Sequence, residues 1–160
     1  MKKIYLSGKM TGLTPRQIKR NFAKIEKGIA KHHPDAYIMN PAVTYNMKKY
    51  DAFSYEDWLH IDFAMIDACD IICLLPNWED SMGAKKEIAY AYKHGKCVCF
   101  PVTISSFNFG WVRDDERAER IAIDLEKDEV YDALDDLLDS FAEAKARKAL
   151  EEEIGQIRAN

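Results

Sequence analysis

The sequence predicts an α/β domain built on a doubly wound parallel sheet, followed by an acidic helical extension. Three observations carry this reading. Over residues 1–113 short apolar runs alternate with helix-periodic segments, the order expected of parallel strands joined by crossover helices. The runs are nearly continuous, as in Ile71-Ile72-Cys73-Leu74-Leu75, which suits strands covered on both faces. Composition then changes near residue 113. Residues 1–113 carry 16 Lys+Arg against 11 Asp+Glu, residues 114–160 carry 7 against 16, and all five prolines lie at or before Pro101. The net charge of −4 over 160 residues is therefore the sum of a basic part, +5, and an acidic part, −9. Two domains are expected, 1–113 and 114–160.

Lys2 to Ser7 reads as a first buried strand, ending in the turn Ser7-Gly8-Lys9-Met10-Thr11-Gly12. Thr14-Pro15-Arg16-Gln17 is a helix start, with Thr14 as N-cap, Pro15 at the first helical position and Gln17 closing a capping box. Ile18, Phe22, Ile25 and Ile29 follow at helical spacing. A second strand, Ala36 to Met39, stops at Asn40-Pro41. Ser54 opens a helix running to about Cys69, and Asp70 to Leu75 is the third strand. Ser81 to His94 is a third helix, with Ser81 or Asp80 as its cap, and Cys97 to Pro101 the fourth strand. From about Ile121 the pattern is helical. Val130, Leu134, Leu137, Leu138 and Phe141 form one stripe, which Leu150, Ile154 and Ile157 continue less regularly. It packs either on its own domain or on a second copy of the chain, so a homo-oligomer is expected.

Composition narrows the function classes. With 48% apolar residues the chain is not globally disordered. No run of 18 apolar residues offers a membrane span, and Met-Lys-Lys-Ile-Tyr-Leu-Ser lacks a signal-peptide apolar region. Four cysteines without such a signal suggest reduced thiols in the cytoplasm. The basic residues of the first part are spread over several helices without an aromatic-interleaved patch, which argues against nucleic acid as the partner.

Ligands of doubly wound sheets sit at the carboxyl ends of the strands, so loops 7–13, 76–83 and 102–113 compete for function. The first has Gly8 and Gly12 between a strand and a helix, suited to an anion or simply to a turn. It matches neither the Gly-x-x-x-x-Gly-Lys-Ser/Thr phosphate loop nor the Gly-x-Gly-x-x-Gly dinucleotide fingerprint. Asp62 shares a helix face with Trp58, Met65, Ile66 and Cys69. A carboxylate on an apolar face needs either a structural partner or a cleft edge. Trp78-Glu79-Asp80-Ser81-Met82-Gly83-Ala84-Lys85-Lys86-Glu87 follows the third strand and starts a helix. Gly83 admits a ligand to the first backbone N–H groups. Glu87 sits one turn on, beside Ala84 and Ala91, either solvated or sheltered enough to act as a nucleophile or base. The cysteines read as buried thiols, His32, His33 and His94 as helix C-terminal residues. Phe107, Phe109 and Trp111 are a lid, a subunit contact or an anchor over the core.

Taken together, Tyr5-Leu6-Ser7-Gly8-Lys9-Met10-Thr11-Gly12, Asn40-Pro41-Ala42, Asp62 with Ile66 and Asp70, and Ser81-x-Gly83-x-x-x-Glu87 resemble the nucleoside 2-deoxyribosyltransferase-like superfamily. The resemblance covers about residues 3–101. It implies a flavodoxin-like fold, no cofactor or metal, and cleavage of an N-glycosidic bond by transfer or hydrolysis. On it, Glu87 is the nucleophile, Tyr5 orients Glu87, and Asp62 lies near the sugar or base. Ser7, Gly8, Lys9, Thr11, Gly12, Ser81 and Gly83 are the expected substrate-binding residues. The transferases carry aspartate six residues before the glutamate, where this chain has Ser81. Serine there resembles the branch acting on nucleoside 5′-monophosphates, which makes a nucleoside or its monophosphate the expected small-molecule partner. The alternative is a non-catalytic nucleotide-binding or scaffolding module of the same fold.

Overall fold

Period-2 alternation along the first strand sets the architecture. In β1 (Lys3–Ser7), Ile4 and Leu6 face one side of the sheet and Tyr5 the other, and all three are buried. The remaining strands are β2 (Tyr37–Met39), β3 (Ile71–Leu74), β4 (Cys97–Ser105) and β5 (Asn108–Arg113), in the spatial order β2-β1-β3-β4-β5. The first four run parallel and β5 is antiparallel to β4. This is an α/β, flavodoxin-like arrangement. The computed structural model describes residues 1–46, 52–105 and 108–159.

The helices are α1 (Pro15–His32), α2 (Tyr55–Asp67), α3 (Met82–Lys93) and α4 (Asp115–Ala159). The helix starts follow their caps. Thr14 Oγ1 accepts from Gln17 N at 3.3 Å while Thr14 N donates to Gln17 Oε1 at 2.8 Å. Ser54 and Asp57 close the same reciprocal pair at α2. Ser81, rather than Asp80, caps α3, its Oγ accepting from Ala84 N at 3.2 Å. Ile18, Phe22, Ile25 and Ile29 of α1 bury against Ile4, Leu6, Cys73 and Leu75, each such side chain contributing about 1.5–3 kcal/mol. On the opposite face Tyr5, Ile72, Leu74, Val98 and Phe100 meet Ile66 of α2 and Ala84, Ile88 and Ala91 of α3.

The segment 102–113, expected as a functional loop, is instead mostly strand: β4 continues past Pro101 and pairs with β5 as a hairpin. Proline ends most inner strands because it lacks an N–H. Here β3 pairs with β4 only as far as Cys99, so Pro101 lies where the sheet has narrowed to two strands. Trp111 is the anchor among the three aromatics: its Nε1 donates to Leu74 O at 3.0 Å and its ring packs on the α1 side. Phe107 lies outside the described residues, as does the side chain of Phe109.

The chain forms two compact units, Met1–Ile123 and Asp124–Asn160. The first runs past the composition change at residue 113 because the opening turns of α4 belong to its core. Ala118 and Ala122 are buried there, and the Arg117 guanidinium lies 5.0 Å from the Trp78 ring centroid and 4.7 Å from that of Phe100. The second unit is helical. Val130 and Leu150 are exposed on it, and the side chains of Leu134, Leu137, Leu138, Phe141, Ile154 and Ile157 lie outside the described residues. No helix among the described residues is long and apolar enough to cross a membrane.

Candidate active site

From β1 the chain leaves one way to β2 and returns past β1 to β3. That reversal opens a crevice at the carboxyl ends of β1 and β3. Two loops meet there. Asn77, after β3, accepts Lys9 N at 3.2 Å on its Oδ1. Gly8 sits so close to this second loop that a Cβ would stand 2.6 Å from Leu75 Cβ and 3.0 Å from Asn77 Oδ1. Gly12 turns the chain toward α1 at φ +79°, a conformation that favours glycine.

Behind these loops β1 and α3 build the centre of the site. Tyr5 and Ser7, two residues apart on one strand, point to the same face, which α3 covers. Tyr5 Oη donates to Glu87 Oε1 at 3.1 Å, and Ser7 Oγ donates to Glu87 Oε2. Glu87 is only 7% exposed and Ser7 1%, a degree of burial that an ionised carboxyl tolerates only with such partners. Ala84 and Ala91, small and buried on the same face of α3, leave room for it.

Asp62, half-buried on α2, faces the same cleft. Burial raises its carboxyl to about 6, against the lowering effect of hydrogen bonding with Tyr5 and Glu87. Glu87 is pushed well above the usual carboxylate range, first by burial and then by the Asp62 charge; the Ser7 and Tyr5 hydroxyls pull the other way. The Tyr5 phenol is raised by burial and by both carboxylates, so it stays a donor. The pair is arranged so that both carboxyls resist ionising together, the usual way to retain one proton in a site near neutral pH.

Glu87 and Asp62 open into a cleft of about 320 Å³. Of the residues expected from the sequence, Gly8, Thr11, Gly12, Ser81 and Gly83 line it with them. Ser7 does not. Expected to bind substrate, it stands behind Glu87 with its hydroxyl donating to that carboxylate, away from the cleft. Lys9 lines an adjoining pocket rather than the cleft.

An aromatic wall was not foreseen: Phe53, Tyr55 and Trp58 line the cleft with Met10 and Leu59. Phe53 and Trp58 meet edge to face at 5.1 Å, one on each side of the Ser54 cap. That spacing is a hydrophobic staple, a signal present in the sequence. Among the described residues no group of three or more His, Cys, Asp or Glu side chains is placed to hold a metal ion.

The profile of a family described as a domain of unknown function, DUF4406, matches residues 2–100. The chain belongs to the DUF4406 family. Its matched segment includes every site residue described above. A conserved protein from Enterococcus faecalis V583, known from its crystal structure, aligns with a TM-score of 0.52 at 21% identity. The alignment covers 66% of this chain and 65% of that one, so the chain spans just under two thirds of that protein's length. The likeness concerns the fold. No curated protein matches the chain.

Proposed function

We propose that this DUF4406 protein cleaves the N-glycosidic bond of a nucleoside or deoxynucleoside, or of its 5′-monophosphate. One observation carries the reading: a buried glutamate receives a hydroxyl donor on each carboxylate oxygen and shares a cleft with a second carboxyl, the two resisting joint ionisation. Tyr5 and Ser7 favour the charge on Glu87 and aim the group, as a nucleophile requires. Asp62, raised to about 6, is placed to take up the one proton that the pair shares as Glu87 attacks, and to pass it to a leaving group.

In the proposed reaction Glu87 attacks the anomeric carbon as the bond from that carbon to the base nitrogen breaks. The electron pair of that bond goes to the base, which takes the Asp62 proton. The glycosyl ester on Glu87 is then released by water or by a second base, Asp62 now accepting the incoming nucleophile's proton. The aromatic wall of Phe53, Tyr55 and Trp58 offers faces on which a base stacks. Ser81 is suited to a 5′-phosphate, since its Oγ accepts from Ala84 N and keeps its own proton to donate. We assign the acidic helical unit, with Val130 and Leu150 exposed, to association with a second copy in the cytoplasm.

The test separates products after incubation with deoxynucleosides, ribonucleosides and their monophosphates, with and without a second base. Free base is expected from the wild type, and a Glu87→Ala variant is expected to release none while binding substrate. A fully active variant would sink the assignment. Saturable binding with no base release by the wild type would favour a non-catalytic binding module instead.

A further inference from the structure

Beyond Ser81 the cleft continues into a second pocket of about 470 Å³ that the reaction proposed above leaves unused. The two share Thr11, Tyr55, Ser81 and Gly83, and the outer one adds Lys9, Lys86, Asp80 and Met82. Its cations come from separate elements. Lys9 is carried by the loop after β1, whose backbone Asn77 ties down at 3.2 Å. Lys86 is carried by α3, its Nζ 5.3 Å from the Tyr55 ring centroid. Among the described residues neither lysine forms an ion pair. Two ammonium groups against the single carboxylate of Asp80 leave the pocket positive, and the Ser81 and Thr11 hydroxyls lie between it and the reacting end.

We infer that the outer pocket takes the second phosphate of a nucleoside 5′-diphosphate, with the first at Ser81 and Thr11 and the second between Lys9 and Lys86. The inference rests on the reading of the cleft as a nucleoside site and adds the substrate class. A lone 5′-phosphate at Ser81 would sit where the two pockets join and fill only the inner edge of the pocket that the Lys9 and Lys86 ammonium groups line. A terminal phosphate brings charge to where they stand, and lysine suits it as a movable point charge.

Calorimetry on the full chain tests this, with the 5′-mono- and 5′-diphosphates of one nucleoside and with inorganic phosphate and pyrophosphate. The diphosphate is expected to bind about tenfold tighter than the monophosphate, the factor of one charge-assisted contact. Pyrophosphate should likewise exceed phosphate. Lys86→Gln and Lys9→Gln should each remove most of that advantage and leave monophosphate affinity within about twofold. Equal affinity for mono- and diphosphate would overturn the inference, as would an advantage surviving the double substitution. A base-release assay run alongside separates the two readings. Diphosphate preference without turnover removes only the glycosidic reaction, and turnover without diphosphate preference removes only the outer site.

Discussion

Exchanging Asp62 for asparagine removes one of the two carboxyls that share the cleft and keeps a side chain of the same shape with hydrogen-bonding capacity. Burial lifts the Asp62 carboxyl from 3.8 to about 6, so ionising it costs the folded protein about 3 kcal/mol more than the unfolded chain. The sign follows from proton uptake. Between about pH 4 and 6 the folded state holds a proton that the unfolded state has released, so stability falls as pH rises through that window. Above about pH 6 the cost is present in full, and below about pH 4 it vanishes. Asparagine never ionises, and without the neighbouring charge Glu87 ionises more easily. Urea unfolding of wild type and Asp62→Asn at a series of pH values reads the difference, provided both give the same denaturant slope. The variant should be more stable by about 2–3 kcal/mol near pH 7.5, and the difference should shrink toward zero below pH 4. Base release by the same variant should be lost. A stability difference constant from pH 4 to pH 8, or a variant less stable than wild type at neutral pH, would refute the account of paired, proton-sharing carboxyls.

Three further outcomes are expected. Ser7→Ala removes a donor to Glu87. It should cut turnover at neutral pH about ten- to a hundredfold, with the acid limb of the pH–rate profile moving up because the charged carboxylate loses support; an unmoved limb would show that Ser7 only fills space. Gly8→Ala puts a Cβ 2.6 Å from Leu75 Cβ, and thermal or urea melts should show a loss of about 1–3 kcal/mol. Removing residues 124–160 should leave the melt of the first unit nearly unchanged while lowering the solution mass of the assembly. A cut after Arg113 should destabilise it, since Ala118 and Ala122 leave the core; sedimentation and melting curves of the two truncations check both.

Much of this molecule was legible because its signals are local. The capping box at Thr14, the helix start at Ser54, the α1 stripe Ile18-Phe22-Ile25-Ile29 and the apolar run at Ile71 each depend on nearby neighbours in the chain. The parallel sheet followed from their alternation. Less visible was the reach of β4 past Pro101, which depends on where its neighbour β3 stops. That the first compact unit extends to Ile123 was hidden for a similar reason. Charge changes near residue 113, but burial of Ala118 and Ala122 is decided by what α4 lands on.

The same division runs through the site. Periodicity alone put Asp62 on an apolar face and Glu87 beside two alanines, and left a solvated and a buried glutamate both open. Tyr5 and Ser7 stand 82 and 80 residues from Glu87, and no local pattern joins them. They meet because strand residues two apart share a face, β1 and β3 are neighbours, and α3 folds back over both. The crossover that closes this contact also makes the buried carboxylate, its donors and the opposing carboxyl of Asp62 into one unit. Sequence determined which elements form and which of their faces are apolar, because backbone and side-chain periodicity are set within a segment. Tertiary structure decided that a serine and a phenol stand behind one buried carboxyl and that this carboxyl shares its cleft with a second, because burial and long-range hydrogen bonding exist only once the segments have packed.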